Sequence, residues 1–230
     1  QAVMDASWPA ASVTRHGPWA IRNGAGGGKR VSAATAEAAW QPADIALAEA
    51  ATADLGQDRL FLIRDGEAAL DAALQDRGYR VVDPVVAYAA PVAALAAVPP
   101  ARMTSFPHWP PMEIARALWA EGGIGPERIA VMDRVTAPKT AILGRAMDRA
   151  SGAAFVALHG NTAMLHALEV SPALRRQGSA YNSLRAAAIW AQDQGADTLS
   201  LVVTAANEPA RGLYASRGMA IVGQYHYRQL

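Results

Sequence analysis

The hydrophobic pattern of the 230 residues changes period repeatedly, and each change predicts an element. Trp19 to Arg22 and Val31 to Thr35 read as short strands, joined by the flexible Asn23-Gly24-Ala25-Gly26-Gly27-Gly28-Lys29 turn. A helix follows: Pro42 suits its first turn, Ile45, Leu47, Ala48, Ala51 and Leu55 form its apolar stripe, and Gly56 stops it. Then come a strand at Leu60 to Ile63, a helix at Glu67 to Arg77, and strand material from Tyr79 to Ala90. Farther on, Met112 to Ala120 is an amphipathic helix closed by Gly122-Gly123, and Pro126 begins another. Strands fit Thr140 to Ala146, Ala153 to His159 and Ala163 to Val170, separated by turns at Asp148-Arg149 and Gly160-Asn161. After Gly178 the pattern gives a long helix ending near Gly195. A strand at Thr198 to Val203, a helix at Pro209 to Arg217 stopped by Gly218, and a last strand at Ala220 to Tyr227 complete it.

This order is mixed α/β, and it contains an internal echo. Phe61-Leu62-Ile63-Arg64 followed by a helix and Arg77-Gly78-Tyr79-Arg80-Val81-Val82 parallels Leu201-Val202-Val203-Thr204 followed by a helix and Arg217-Gly218-Met219-Ala220-Ile221-Val222. Glycines 78 and 218 stand 140 positions apart and the strands keep the same offset, as a duplicated domain requires. Between the copies, Pro91 to Pro111 carries six prolines around an Ala-rich stretch, which predicts neither helix nor central strand. The expected organisation is therefore a first domain at 1–95, a Pro-rich linker at 96–111 and a second domain at 112–230. Phe106-Pro107-His108-Trp109-Pro110 reads as an ordered connector with packed aromatics, or as the lining of a substrate cleft.

Composition narrows the chemistry. With 52% hydrophobic residues the chain can bury one large or two small cores. A formal charge of +1 without long runs of either sign leaves no footprint for nucleic acid or an anionic membrane, so any anion site must be local. The absence of cysteine removes disulfides, thiolate metal sites and a cysteine nucleophile, and fits a reducing compartment. The apolar stretches are interrupted well short of the roughly 20 residues of a membrane span, and Gln1 to Trp8 lacks the pattern of a secretory signal. A cytoplasmic protein without membrane or nucleic-acid partners is expected.

The most informative stretch runs from Leu165 to Ala180. An apolar strand ends at Val170, a Pro-containing turn follows, and the basic loop Arg175-Arg176-Gln177-Gly178 opens a helix at Ser179-Ala180. The first N–H groups of a helix lack intrahelical partners and carry the positive end of its dipole, so such a loop can hold a diphosphate on main-chain donors. Arg175 and Arg176 add charge there, and Gly178 and Ala180 keep the approach clear.

Val170, Arg175-x-x-Gly178-x-Ala180, the strand Leu199 to Val203, Asn207-x-x-Ala210-x-x-x-Tyr214 and Arg217-Gly218-Met219 together resemble the acetyl-CoA-binding core of the GNAT acetyltransferase superfamily, in its order and spacing. The resemblance is close over about 65 residues and loose over the second half. It implies two GNAT-like domains, each a mostly antiparallel, splayed mixed sheet flanked by helices. It also implies acetyl-CoA as cosubstrate, bound by Leu168 and Val170 at the strand and by Arg175 through Ala180 at the loop, with Ala210 and Tyr214 beside it and Asn207 either reaching the pantetheine arm or ordering the loop. The implied reaction is direct transfer to a primary amine, needing no metal. The amide near Val170 polarises the thioester carbonyl, and the Tyr214 phenol faces the thioester sulfur. A lysine amine at pKa about 10.4 is costly to deprotonate, so a base or water relay is expected; Glu169 and His166 are the candidates, with an ion pair to Arg175 or Arg185 and a core role as their respective alternatives.

Under the same offset Leu74 stands where Tyr214 does and Glu67 where Asn207 does, and no Arg-x-x-Gly-x-Ala loop precedes Pro42. The first half is thus similar to a degenerate GNAT copy that shapes the acceptor cleft. Gly26-Gly27-Gly28-Lys29-Arg30 fails the Walker pattern, since Asn23 replaces its first glycine and Arg30 its Ser or Thr; it reads as a strand-connecting turn, the alternative being an anion site for the acceptor or the CoA 3′-phosphate. The acceptor is a small-molecule or peptide amine, and terminal strands that often pair between subunits in this family keep a homodimer open. An acyl-CoA-binding sensor with little turnover is the alternative function.

Overall fold

The computed structural model describes residues 1–230. In chain order its elements are α1 (Ala2–Ser7), β1 (Ser12–His16), β2 (Trp19–Asn23), β3 (Thr35–Ala36), α2 (Ile45–Asp54), β4 (Leu60–Arg64), α3 (Ala68–Asp76), β5 (Arg80–Pro91), α4 (Val92–Ala96), β6 (Ser105–His108), α5 (Glu113–Glu121), α6 (Pro126–Arg134), β7 (Lys139–Ala146), β8 (Arg149–His159), β9 (Thr162–Val170), α7 (Ser179–Asp193), β10 (Thr198–Thr204), α8 (Glu208–Ser216) and β11 (Ala220–Gln229). Contacts divide the chain into two compact units. The first comprises residues 1–9, 87–202 and 209–221, and the second residues 10–86, 203–208 and 222–230.

The first unit is built on a large mixed sheet flanked by helices. From its edge the order is β6-β7-β8-β9-β10, with the Ala87–Pro91 end of β5 next to β10. The pairs β6/β7, β7/β8 and β8/β9 are antiparallel, and β9/β10 is parallel. β8 and β9 are almost wholly apolar where they are buried on both faces, as a central strand must be; Phe155, Val156, Ala163 and Leu165 are sealed from water. α7 supports them with an inward face of Leu184, Ala187, Ala188 and Ala191, small enough for close helix-to-sheet approach.

In the second unit β1, β2 and β3 form an antiparallel sheet, and β11 from Val222 onward lies between β4 and the Arg80–Val86 part of β5. Trp19, Ile21, Ile45, Phe61, Leu70, Leu74 and Tyr79 pack into its core. Trp19 and Tyr79 both meet Phe61 edge-on, at 5.4 and 5.5 Å between ring centres. α3 and α8 are each nine residues long and begin 140 positions apart, at 68 and 208; β5 and β11 begin at 80 and 220.

The units do not follow the chain-order partition expected at 1–95, 96–111 and 112–230. Residues 1–9 and all of 96–111 lie in the first unit, because β5 finishes beside β10 and α1 packs on β8 and β9. The Pro-rich stretch also holds more structure than expected. α4 makes one turn in the proline-free interval after Pro91, which occupies its N-cap and so costs no hydrogen bond. β6 tolerates Pro107 because it is an edge strand. The strand expected at Val31 to Thr35 is instead a 3₁₀ turn at Lys29–Val31 followed by the two-residue β3.

Candidate active site

β9 and β10 pair in parallel from Thr162/Thr198 only as far as Leu165/Leu201. β9 then runs on to Val170 without its partner, so the sheet opens. A β-bulge sits where the strands part. Ala153 opposes Glu169 and Phe155 opposes His166, so the single residue Ala154 faces both Ala167 and Leu168. Ala167 takes the bulge's left-handed conformation at φ 50°, and the buried indole of Trp119 donates to its carbonyl at 2.8 Å.

Beyond the bulge the main chain is directed into the opening. Ser171 N–H donates to Ser151 O at 2.9 Å across to β8, so the alternation of strand amides turns Val170 N–H toward the free edge. Gly152 opposite makes this approach possible, since a Cβ there would lie 2.4 Å from Glu169 O.

The chain then forms a 3₁₀ turn at Pro172–Leu174 and enters α7 through the exposed Arg175–Gly178 loop. Arg176 and Gly178 are both left-handed, at φ 63° and 81°. Gly178 is the N-cap, has no side-chain cap, and no acidic residue occupies the first turn of α7. No capping side chain and no first-turn acid of the protein's own thus meets the opening amides of Ser179, Ala180 and Tyr181. α2 in the second unit starts differently. A 3₁₀ turn with Pro42 leads in, and the Asp44 carboxylate accepts Gln41 N–H at 2.8 Å, placing a negative charge where a ligand anion would sit.

Several expected site residues are engaged within the protein. Ser179 turns inward, its Oγ donating to Ser151 Oγ at 2.8 Å in a buried pair, so only its main chain faces the loop. Arg175 folds back, donating through Nε to Val170 O at 3.2 Å and pairing with Glu169 at 3.3 Å. Glu169 is also wedged over Gly122, where a Cβ would meet its Cγ at 2.4 Å. His166 is 4% exposed, lies 2.8 Å from Ser7 Oγ through Nε2, and packs against Trp8 at 5.0 Å between ring centres. Each of these two matches the alternative weighed for it from sequence. Leu168 lies in the bulge, Gln177 is exposed in the loop, and Ala180 is half-buried at the second position of α7.

Tyr214 is buried in α8 and makes no hydrogen bond through its hydroxyl within the protein. Burial alone pushes its phenol up to about 12, so at neutral pH it holds its proton firmly and is suited to donate rather than accept one. Its ring leans on buried Tyr88 of β5 at 5.8 Å between centres, and Tyr88 OH accepts from Arg211 Nε at 3.5 Å. Ala210 is half-buried on the same helix, and exposed Asn207 directly precedes it in the chain. Sequence reasoning missed Tyr88, Trp119 and Gly152. Only Gly152 carried a signal, a glycine directly before the strand expected at Ala153 to His159.

Lys29 pairs with Asp83 at 2.7 Å, both within the second unit. That engages its charge in holding the Gly-rich turn to β5.

Residues 133–219 match the model of the acetyltransferase (GNAT) family. Among solved structures the chain is similar to a GCN5-related N-acetyltransferase from Kribbella flavida, with 17% identity and a TM-score of 0.76 over 98% of this chain and 91% of that one. It is also similar to a conserved protein of unknown function from Staphylococcus epidermidis (11%, TM-score 0.72, covering 98% and 96%). A tandem GNAT protein from the clavulanic acid biosynthesis pathway superposes with 13% identity and a TM-score of 0.65, over 99% of this chain and 86% of that one. No curated protein matches the sequence.

Proposed function

We propose that this chain, whose second half carries an acetyltransferase domain of the GNAT family, transfers the acetyl group of acetyl-CoA to a primary amine by direct attack on the thioester. The observation that carries this reading is the parting of β9 from β10 at Leu165/Leu201, next to a helix N-terminus with no capping side chain and no acid. The amides from Arg176 to Ala180 hold the diphosphate, and the pantetheine arm lies in the opening. Val170 N–H stabilises the oxyanion as the neutral amine attacks the acetyl carbon. Tyr214 gives its proton to the sulfur as the C–S bond breaks, so CoA leaves as the thiol; the amine's surplus proton passes to water, which reprotonates the Tyr214 phenolate.

Two further parts belong to this reading. The first half is a degenerate second GNAT copy, supported by the equal lengths and 140-residue spacing of α3 and α8. Leu74 fills the core where the second copy has its tyrosine. The protein acts in the cytoplasm on a small-molecule or peptide amine, and no helix is long and apolar enough to cross a membrane.

The pairing of Glu169 with Arg175 and of His166 with Ser7 favours a second reading, an acyl-CoA sensor with little turnover. An amine-library screen for CoA-thiol release, run with acetyl-CoA and longer acyl-CoAs, separates the two. Release that depends on an added amine supports transfer. Tight CoA binding with no amine-dependent release across the library would leave only the sensor.

A further inference from the structure

α8 is nine residues long and buries one side chain, Tyr214. The Tyr214 hydroxyl finds no hydrogen bond within the protein, so contacts to its ring are what hold the phenol in one rotamer. Tyr88 supplies such a contact. It lies on β5, a strand from the first half of the sequence whose Ala87–Pro91 end joins the sheet of the first unit beside β10. Its ring is buried and stands 5.8 Å from that of Tyr214 at an angle of 51°. Its hydroxyl accepts from Arg211 Nε, one turn earlier on α8, at 3.5 Å.

The second unit repeats this arrangement with other chemistry. Asp71, Leu74 and Arg228 stand 140 positions from Arg211, Tyr214 and Tyr88, and there too the strand residue bonds to the helix residue. Arg228 of β11 donates from Nε to Asp71 Oδ1 at 2.7 Å, and from its two Nη atoms to Tyr79 O and Gln75 Oε1, both at 3.0 Å. As a fastener of strand to helix that network is the stronger of the two, since an ion pair with three short hydrogen bonds outweighs one hydroxyl accepting at 3.5 Å. What the tyrosine has and the arginine lacks is an aromatic ring to set against another. Only the first unit has an aromatic residue, Tyr214, at the helix position concerned; in the second unit that position is Leu74.

We infer that Tyr88, a residue of the first half of the chain, is a positioning residue for the leaving-group step: its ring fixes the Tyr214 phenol toward the thioester sulfur. This rests on the acetyl-transfer reading above. Tyr88 acts only through Tyr214, and a small displacement is enough to matter, because a proton donor an ångström out of place can lose on the order of a hundredfold in rate. The first half then takes part in the chemistry itself, through the strand it lends to the first unit, besides any part in shaping the acceptor cleft.

The test is a double-mutant cycle on the full chain, read as CoA-thiol release from acetyl-CoA with the most reactive member of a panel of free amino acids, polyamines and short peptides. Tyr88→Leu keeps the place apolar but removes the ring; it should lower kcat about tenfold and leave KM and calorimetric affinity for acetyl-CoA within about twofold. In the Tyr214→Phe background the same substitution should change kcat by less than about twofold, since no phenol is left to aim. Tyr88→Phe keeps the ring and should restore most of the turnover. If leucine lowers the melting temperature enough to disturb the assay, Tyr88→Met, whose flexible side chain refills the space, takes its place in the cycle. Equal losses in both backgrounds, or wild-type kcat in the ring-free variant, overturn the positioning role alone and leave the acetyl-transfer reading standing. Wild-type protein that releases no thiol with any amine of the panel overturns that reading, and the inference with it.

Discussion

Replacing Gly178 by alanine isolates what the α7 N-cap requires. Its φ of +81° is a conformation that L side chains adopt only under strain, yet a Cβ there would meet nothing nearer than Asn182 Nδ2 at 3.8 Å. The cost is therefore conformational rather than steric, about 1 to 2 kcal/mol. For a chain of this size that lowers the thermal midpoint by roughly 2 to 8 °C. Asparagine tolerates the left-handed region better, so Gly178→Asn should recover part of the loss. Binding should follow a different order, because any side chain at 178 crowds the diphosphate approach. CoA affinity measured by calorimetry should fall in both variants, and furthest in Gly178→Phe. Alanine and asparagine variants that melt like wild type would refute the conformational argument. Undiminished CoA affinity in Gly178→Phe would refute the cradle.

Three shorter predictions follow from other contacts. Tyr214→Phe should lower turnover about tenfold to a hundredfold while leaving acetyl-CoA affinity and the melting temperature nearly unchanged, since the hydroxyl bonds to nothing within the protein; wild-type turnover would exclude the leaving-group role. Alkaline titration should destabilise the fold. Tyr214, raised from 10 to about 12, contributes stability that is whole below pH 10 and gone by pH 12, about 3 kcal/mol; Tyr79 and Tyr227 are raised by burial in the same direction, and a denaturation midpoint flat across pH 10 to 12 would contradict this. Gly152→Ala should push β8 off β9 and cost about 1 to 3 kcal/mol or more in chemical denaturation, because its Cβ would fall 2.4 Å from main-chain Glu169 O, which has no rotamer to escape into; a neutral result would mean the strands can part freely there.

Period and punctuation made the elements from β7 to β11 legible, because glycines at 160, 178, 195 and 218 mark real left-handed turns and the buried positions of the strands between them are mostly apolar. The basic loop with Gly178 between β9 and α7 was legible for the same reason. What sequence could not reveal was nonlocal. Nothing in Tyr88 announces that it packs on Tyr214, 126 positions away, and nothing in Ser7 points to His166. The bulge at Ala167 was equally hidden, since alanine carries no preference for positive φ; it is held by the partner strand and by Trp119 rather than by its own chemistry. Linear reading also cut the chain at the prolines, although its compact units exchange segments at β5 and β11.

The docking of α1 onto β8 and β9 sets an order of events during synthesis. Ser7 leaves the ribosome 159 residues ahead of the histidine it will bond, and Trp8 likewise precedes Phe155, against which it packs at 6.1 Å. Trp8 must then wait, uncovered, until the strands carrying Phe155 and His166 have been made. Helix α1 is thus made well before the two strands on which it packs, and its docking is a late, long-range step of folding.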